Sequence, residues 1–220
     1  MDRHSEHGNV LFLILIAVAL FAALSYAVTS SNRTGGGSTE RERAGLVASE
    51  IINYEIALRT AVTKLQASGC SLENISFDHP GWGHNFYRHT PPSTDNCKVF
   101  HPQGGAVSFR NGLTWNPESA LGPGWTVYIN GETSVADVGT PDSELLMWIF
   151  LDDANICDVI SDRLSVPLTP DTVSTHVFGT YDGSFQNLAD NFGDDLGSAY
   201  VGTYSFCNSN NAYISVLAAR

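Results

Sequence analysis

The chain has 220 residues, 43% of them hydrophobic and only 15% charged, with Asp and Glu outnumbering Lys and Arg by 23 to 11. A formal charge of -12 with no basic run argues against nucleic acid as a partner, because phosphate backbones and anionic headgroups are bound by clustered Lys and Arg. Beyond the first thirty or so residues the length is that of one ordinary domain, enough to bury a core without a cofactor.

Residues 1–8, MDRHSEHG, form a short leader in which Arg3 is offset by Asp2 and Glu6, so a positive flank is poorly developed. From Val10 to Val28 the chain reads VLFLILIAVALFAALSYAV, nineteen residues without a charge. At a rise of about 1.5 Å per residue this just spans a hydrocarbon core of about 30 Å, so 9–29 is expected to be a transmembrane or signal-anchor helix. Three fates are open to it: retention as a signal anchor, removal by signal peptidase after Ala27 with Ser25 and Ala27 as the small residues read, or cleavage after Gly8 with the helix kept.

Residues 30–38, within TSSNRTGGGS, have the composition of a flexible linker, loosest at Gly35 to Gly37. The remainder, 39–220, is expected to be one extracytoplasmic α+β domain. Ser38 and Thr39 ahead of Glu40 and Glu42 suit a helix start, and Gly69 suits its end. Within that helix Val47, Ile51, Tyr54, Leu58, Ala61 or Val62 and Leu65 recur at helical spacing, and the stripe must be covered, by the domain's own sheet or by neighbouring subunits. Leu46, Ile52 and Ile56 add apolar surface off the stripe.

Residues 71–124 are loop-heavy, with short strand candidates at Lys98 to Phe100 and Ala106 to Phe109, the latter before an Asn111-Gly112 turn. Strands are predicted at Trp125 to Ile129, ended by Asn130-Gly131, and at Val135 to Val138. Asp142 or Ser143 is read as the cap of a short helix through Leu151, followed by a second helix at Ala154 to Leu164 that shows Cys157, Ile160 and Leu164 on one side. Strands are then predicted at Val173 to Thr180, Ala199 to Cys207 and Ala212 to Ala218, the last two as a hairpin around Asn208 to Asn211. A long amphipathic helix laid on an antiparallel sheet is the α+β arrangement these elements make.

Cys70, Cys97, Cys157 and Cys207 form no CxxC motif, and disulfides are favoured over free thiols. Of three possible pairings, Cys70 with Cys97 and Cys157 with Cys207 is favoured, since each then joins elements of one half of the domain. His79, His84, His89 and His101, with Asp78 and Asp95 nearby, invite a zinc reading, but their spacing matches neither a helix face nor a finger. Asp190, Asp194 and Asp195 in DNFGDDLG are a weak calcium candidate without the bidentate Glu of an EF-hand, and a solvated acidic turn is the favoured reading. Asn32 and Asn74 begin glycosylation sequons, which are common by chance. GxSxG, HExxH and the P-loop are all absent, so no catalytic residue and no cofactor is expected.

In its order of parts, a short leader ending in Gly8, an apolar helix, an amphipathic helix and a cysteine-bearing sheet domain, the chain resembles type IV pilin-like proteins and pseudopilins. GNVLFLILIAVALFAALSYAVTSS, CKVFHPQGGAV at Cys97 to Val107 and VLAAR at Val216 to Arg220 look like a group of bacterial membrane-anchored proteins with this layout. The resemblance implies a leader removed at Gly8, anchorage in a bacterial inner membrane, and packing of apolar helices with other pilin-like subunits. Pilins typically carry Glu at the fifth residue after the cut, and that position is Leu13 here; the Gly run at 35–37 is a second departure. The expected function is a non-enzymatic minor pilin or pseudopilin-like subunit of a filament or type II secretion assembly. The alternative is a secreted or periplasmic module recognising glycan or protein through the aromatic loop around Trp82, Trp115 and Trp125; Trp82, Phe86 and Tyr87 offer an aromatic surface, with packing over the sheet edge the favoured reading of them.

Overall fold

The computed structural model describes residues 7–82, 87–110, 127–135, 137–140, 142–151, 153–165, 168–169, 181–185, 191–192, 204–208 and 212–220, with the side chains of 7–11 and 28–38 outside that description. The chain divides into two compact units, Met1–Arg43 and Ala44–Arg220.

A single helix, α1, runs His7–Ala67. Residues 30–38, expected to be an irregular linker, are helical within it, and Ser38 to Glu42 do not begin a helix. Each Gly in a helix interior costs about 1 kcal/mol relative to Ala, whereas a helix already nucleated on both sides gains one backbone hydrogen bond per residue it continues through. With a helical turn already preceding them, Ser38 and Thr39 have no open N-terminus to cap.

In the first unit the described side chains of α1 are those of Phe12 to Ala27 and Thr39 to Arg43, all exposed, with Phe21 73% and Tyr26 77% accessible. Among the described residues no helix is long and apolar enough to cross a membrane. Val10, Leu11 and Val28, which complete the apolar run, lie outside the side chains described.

In the second unit the expected stripe is buried. Ile51, Tyr54, Leu58, Ala61, Val62 and Leu65 form one core with Ala44 and Ala48, and Val47 is half-buried at its edge. Leu46 at 75% and Ile56 at 55% accessibility lie off the stripe. The helix ends as its sequence predicts. Gly69 takes φ of 93°, its N–H donates to the Gln66 carbonyl at 2.9 Å, and Cys70 N–H reaches back to the Leu65 carbonyl at 3.0 Å, the paired bonds of a Schellman end.

The core packs against a sheet of order β3-β5-β6-β2-β1-β4, built from β1 Val127–Val135, β2 Glu144–Phe150, β3 Leu168–Thr169, β4 Asn191–Phe192, β5 Ser205–Asn208 and β6 Ala212–Ala218. Its four central strands are antiparallel, while the two-residue strands β3 and β4 run parallel to β5 and β1. The β5–β6 hairpin stands where it is expected, with Asn208 opposite Ala212.

Two expectations fail in the sheet. The segment from Asp142 to Leu151, read as a short helix, is the central strand β2, paired with β1 on one side and β6 on the other. Leu145, Met147 and Ile149 face the α1 core, while Leu146 and Trp148 join a second buried cluster on the opposite face with Tyr128, Phe206 and Ile214. Because both faces are buried, ELLMWIF has no polar alternation and its period is invisible in sequence. Nor does Asn130-Gly131 end a strand. β1 continues through it to Val135, the register shifting between Asn130 and Thr133. A Cβ on Gly131 would lie 2.7 Å from the Tyr181 ring, so glycine is required there by close approach rather than for a turn.

Helix α2, Ala154–Leu164, is capped by Asp153, whose carboxylate accepts from Asn155 N–H at 2.9 Å. It buries Ile156, Cys157 and Ile160 but leaves Leu164 largely exposed. The strand candidates at 98–100 and 106–109 reduce to an isolated parallel bridge, Ser76 with Lys98, and one bond from Val107 N–H to the Val99 carbonyl. The strand expected at 173–180 and residues 199–203 of the next lie outside the described residues.

Candidate functional site

All four cysteines are paired, Cys70 with Cys97 and Cys157 with Cys207, as the favoured reading expects. The first bridge ties the end of α1 to the short 3-10 turn Asp95–Cys97. The second ties α2 to β5, holding the small helix on the sheet.

Beside the first bridge the second unit opens a cleft of about 480 Å³, lined by residues from 69–74, 89–97 and 182–184. The last of these segments is fixed by its neighbour Tyr181. The Tyr181 hydroxyl donates to the Leu72 carbonyl, its N–H donates to the Ile129 carbonyl at 3.2 Å, and its ring meets Phe77, His89 and Phe185 edge-on. Burial pushes the Tyr181 hydroxyl far above the ordinary phenol range, so it stays protonated and able to donate to Leu72.

His89 is the buried titratable group of this cleft, 5% accessible, with Nδ1 at 3.0 Å from Ser93 Oγ. Nε2 is buried without a hydrogen bond of normal geometry. Burial holds the imidazole below its ordinary pKa, while Asp182, the Glu73 backbone and Asp78 act more weakly in the opposite sense. Gly183 lies against this ring, for a Cβ there would fall 2.9 Å from His89 Nδ1 and 2.5 Å from the Glu73 carbonyl. Its φ of 94° comes from the turn in which Asp182 accepts from Ser184 N–H at 3.0 Å and from the Ser184 hydroxyl. Those bonds hold the Asp182 carboxyl below the usual range. Ser93 and His89 therefore touch as a hydroxyl and a base do. Asp182 accepts from Ser184, and among the described residues His89 Nε2 has no hydrogen bond of normal geometry.

The other sequence candidates are scattered. His79 stacks on Phe109 at 4.0 Å between ring centres, and burial lowers its pKa. His101 Nε2 sits 3.7 Å from Asp95, whose carboxylate also accepts from Lys98. Among the described residues no three His, Cys, Asp or Glu side chains are placed to hold a metal ion. His84, Phe86, Trp115, Trp125, Asp190, Asp194 and Asp195 lie outside the described residues, as does the Trp82 side chain. Tyr87 is buried, its oxygen accepting from Ile129 N–H at 3.2 Å, so it packs within the domain rather than on an aromatic surface. Gly8 and Ala27 both fall within α1, and Leu13 is exposed.

Neither the His89–Ser93 pair nor the Asp182 turn is a sequence-predicted site. Their signals, HTPPS and YDGS, are short turn patterns that gain meaning only when 89–97 and 181–184 meet. The geometry defines a disulfide-braced α+β domain with one helix across an antiparallel sheet. No protein-family model, curated protein or solved structure matches the chain.

Proposed function

We propose that the chain is a non-enzymatic, membrane-anchored extracytoplasmic subunit of minor pilin or pseudopilin-like kind, drawn by its apolar helix into a filament or a type II secretion assembly. The observation that carries this reading is the contrast along α1. Its described residues 12–27 expose Phe, Leu, Ile and Val without a charge, while its 44–65 stripe is buried apart from the half-buried Val47. A helix apolar all round is stable only where lipid or other helices cover it. With Val10, Leu11 and Val28 included, the apolar run is long enough for a bilayer core. Two disulfides support a domain on the oxidising side of a bacterial inner membrane.

Leu13 stands where a pilin's Glu would pair with a neighbour's N-terminal amine, so assembly in this reading rests on apolar packing alone, as suits a subunit at a filament tip. The test is the intact mass of the mature protein. A chain beginning at Met1 or Asn9 keeps its anchor, whereas one beginning at Val28 has none and overturns the reading. The second reading, a released binding module, is favoured by the cleft and requires that cut after Ala27, so one mass separates the two.

A further inference from the structure

The cleft beside Cys70–Cys97 is pre-shaped and polar, and anchoring or assembly of the chain does not use it. Its volume of about 480 Å³ suits a small ligand rather than one or two waters. Three features of its lining restrict the chemistry. First, among the described residues it contains no Lys or Arg, and it includes the carboxylates of Glu73 and Asp182, so an anion is disfavoured. Second, both carboxylates already have partners, which weakens the case for a cation. Asp182 accepts twice from Ser184 through Oδ1, which leaves Oδ2 able to accept from a ligand hydroxyl, and Glu73 lies 3.9 Å from the Arg220 guanidinium. Third, the remaining polar wall is hydroxyl, amide and imidazole: Thr90, Ser93, Thr94, Ser184, Asn74 and His89, groups that both donate and accept.

Such a wall matches a ligand that also donates and accepts at closely spaced positions. Pro91 and Pro92 add exposed apolar faces against which the C–H face of a sugar ring packs. We propose that this cleft is a binding site for a neutral, hydroxyl-rich ligand, the end of a saccharide chain, contacted by Ser93, Thr90, Thr94 and Asp182. The disulfide and the bonds of Tyr181, next to Asp182, hold its walls in place without the ligand, which lowers the ordering cost of binding.

The test is saturation-transfer NMR on the full chain in detergent micelles, using cellobiose and N,N'-diacetylchitobiose as probes, with trilysine and acetate as charged controls. The expected result is binding of at least one disaccharide in about the millimolar range, weakened about tenfold or more in Asp182→Asn and Ser93→Ala, with neither control bound. Shifts of the Asn74, Thr90 and Thr94 amides in the unaltered protein locate the site even if a variant fails to fold. Binding of neither disaccharide, binding that leaves those amides unmoved, or preferential binding of trilysine would each overturn the assignment.

Discussion

Tyr213 on β6 donates its hydroxyl to the carboxylate of Glu55 on α1, joining helix and sheet across the core through two polar groups that are both buried. The same carboxylate accepts from Ser215 Oγ at 2.7 Å and from Arg59 Nη2 at 2.6 Å, and Arg59 reaches Ser215 Oγ at 2.8 Å. Burial and the Glu55 charge push the Tyr213 hydroxyl far above the phenol range, so it remains a donor at any physiological pH.

Within an otherwise apolar interface this network selects one helix register, since a slip along α1 would bury Glu55 unpaired. Tyr213→Phe removes one hydrogen bond to a buried charge and is expected to destabilise by about 1.5 to 3 kcal/mol. Replacing Glu55 and Tyr213 together by Leu and Phe is expected to cost less than the sum of the single changes. Thermal melting followed by near-UV circular dichroism, arranged as a double-mutant cycle, checks both.

The two disulfides differ in the length of chain they close, 27 residues for Cys70–Cys97 and 50 for Cys157–Cys207. On the chain-entropy argument they contribute about 3.5 and about 4 kcal/mol respectively. Replacing both cysteines of either pair by Ala should therefore lower the melting temperature, slightly more for the Cys157 pair. Alkylation of the native, unreduced protein should label none of the four sulfurs.

Glu144, at the head of β2, is a buried carboxyl whose Oε2 accepts from Val135 N–H at 2.7 Å while Oε1 has no hydrogen bond. Burial raises its pKa to about 7, partly opposed by the Val135 bond. The folded state thus binds this proton more tightly than the unfolded chain. Its contribution is full below the unfolded carboxyl value of about 4.5 and falls as pH rises toward 7. Glu144→Gln is expected to flatten that fall and, at pH 8, to raise stability by on the order of 2 kcal/mol. Melting temperature against pH for both proteins is the measurement.

His89 acts at the opposite end. With its folded pKa held down by burial, it contributes nothing against folding above the unfolded value near 6.5 and opposes folding as pH drops below it. His89→Gln should flatten the acid limb of the same melting profile and leave the alkaline limb intact.

The parts of the fold legible in sequence are those with one buried face or a terminal signal. The α1 stripe ending at Gly69 and α2, with Ile156, Cys157 and Ile160 on one side, carry their period locally, while β6, buried on both faces, is marked instead by its β-branched and aromatic residues and by NSNN ahead of it. β2 was illegible because a strand buried on both faces shows no alternation, and Ser143 before Glu144 mimics a cap. β1 was misread at Asn130-Gly131 because a turn dipeptide and a glycine forced by the Tyr181 ring look the same in one dimension. The cleft was hidden for a different reason. Its groups come from positions as far apart as Cys70 and Ser184, and only tertiary folding brings them together.

The account's central claim is that residues 10–28 hold the chain in a membrane, and alkaline carbonate extraction of membranes from cells making the full chain tests it most directly. The chain is expected to stay with the membrane pellet, and to be released when Leu20→Arg and Leu24→Asp are introduced together, since charges at the helix centre cost about 2.5 to 3.5 kcal/mol each. Recovery of the unaltered chain in the carbonate-soluble fraction would contradict the claim.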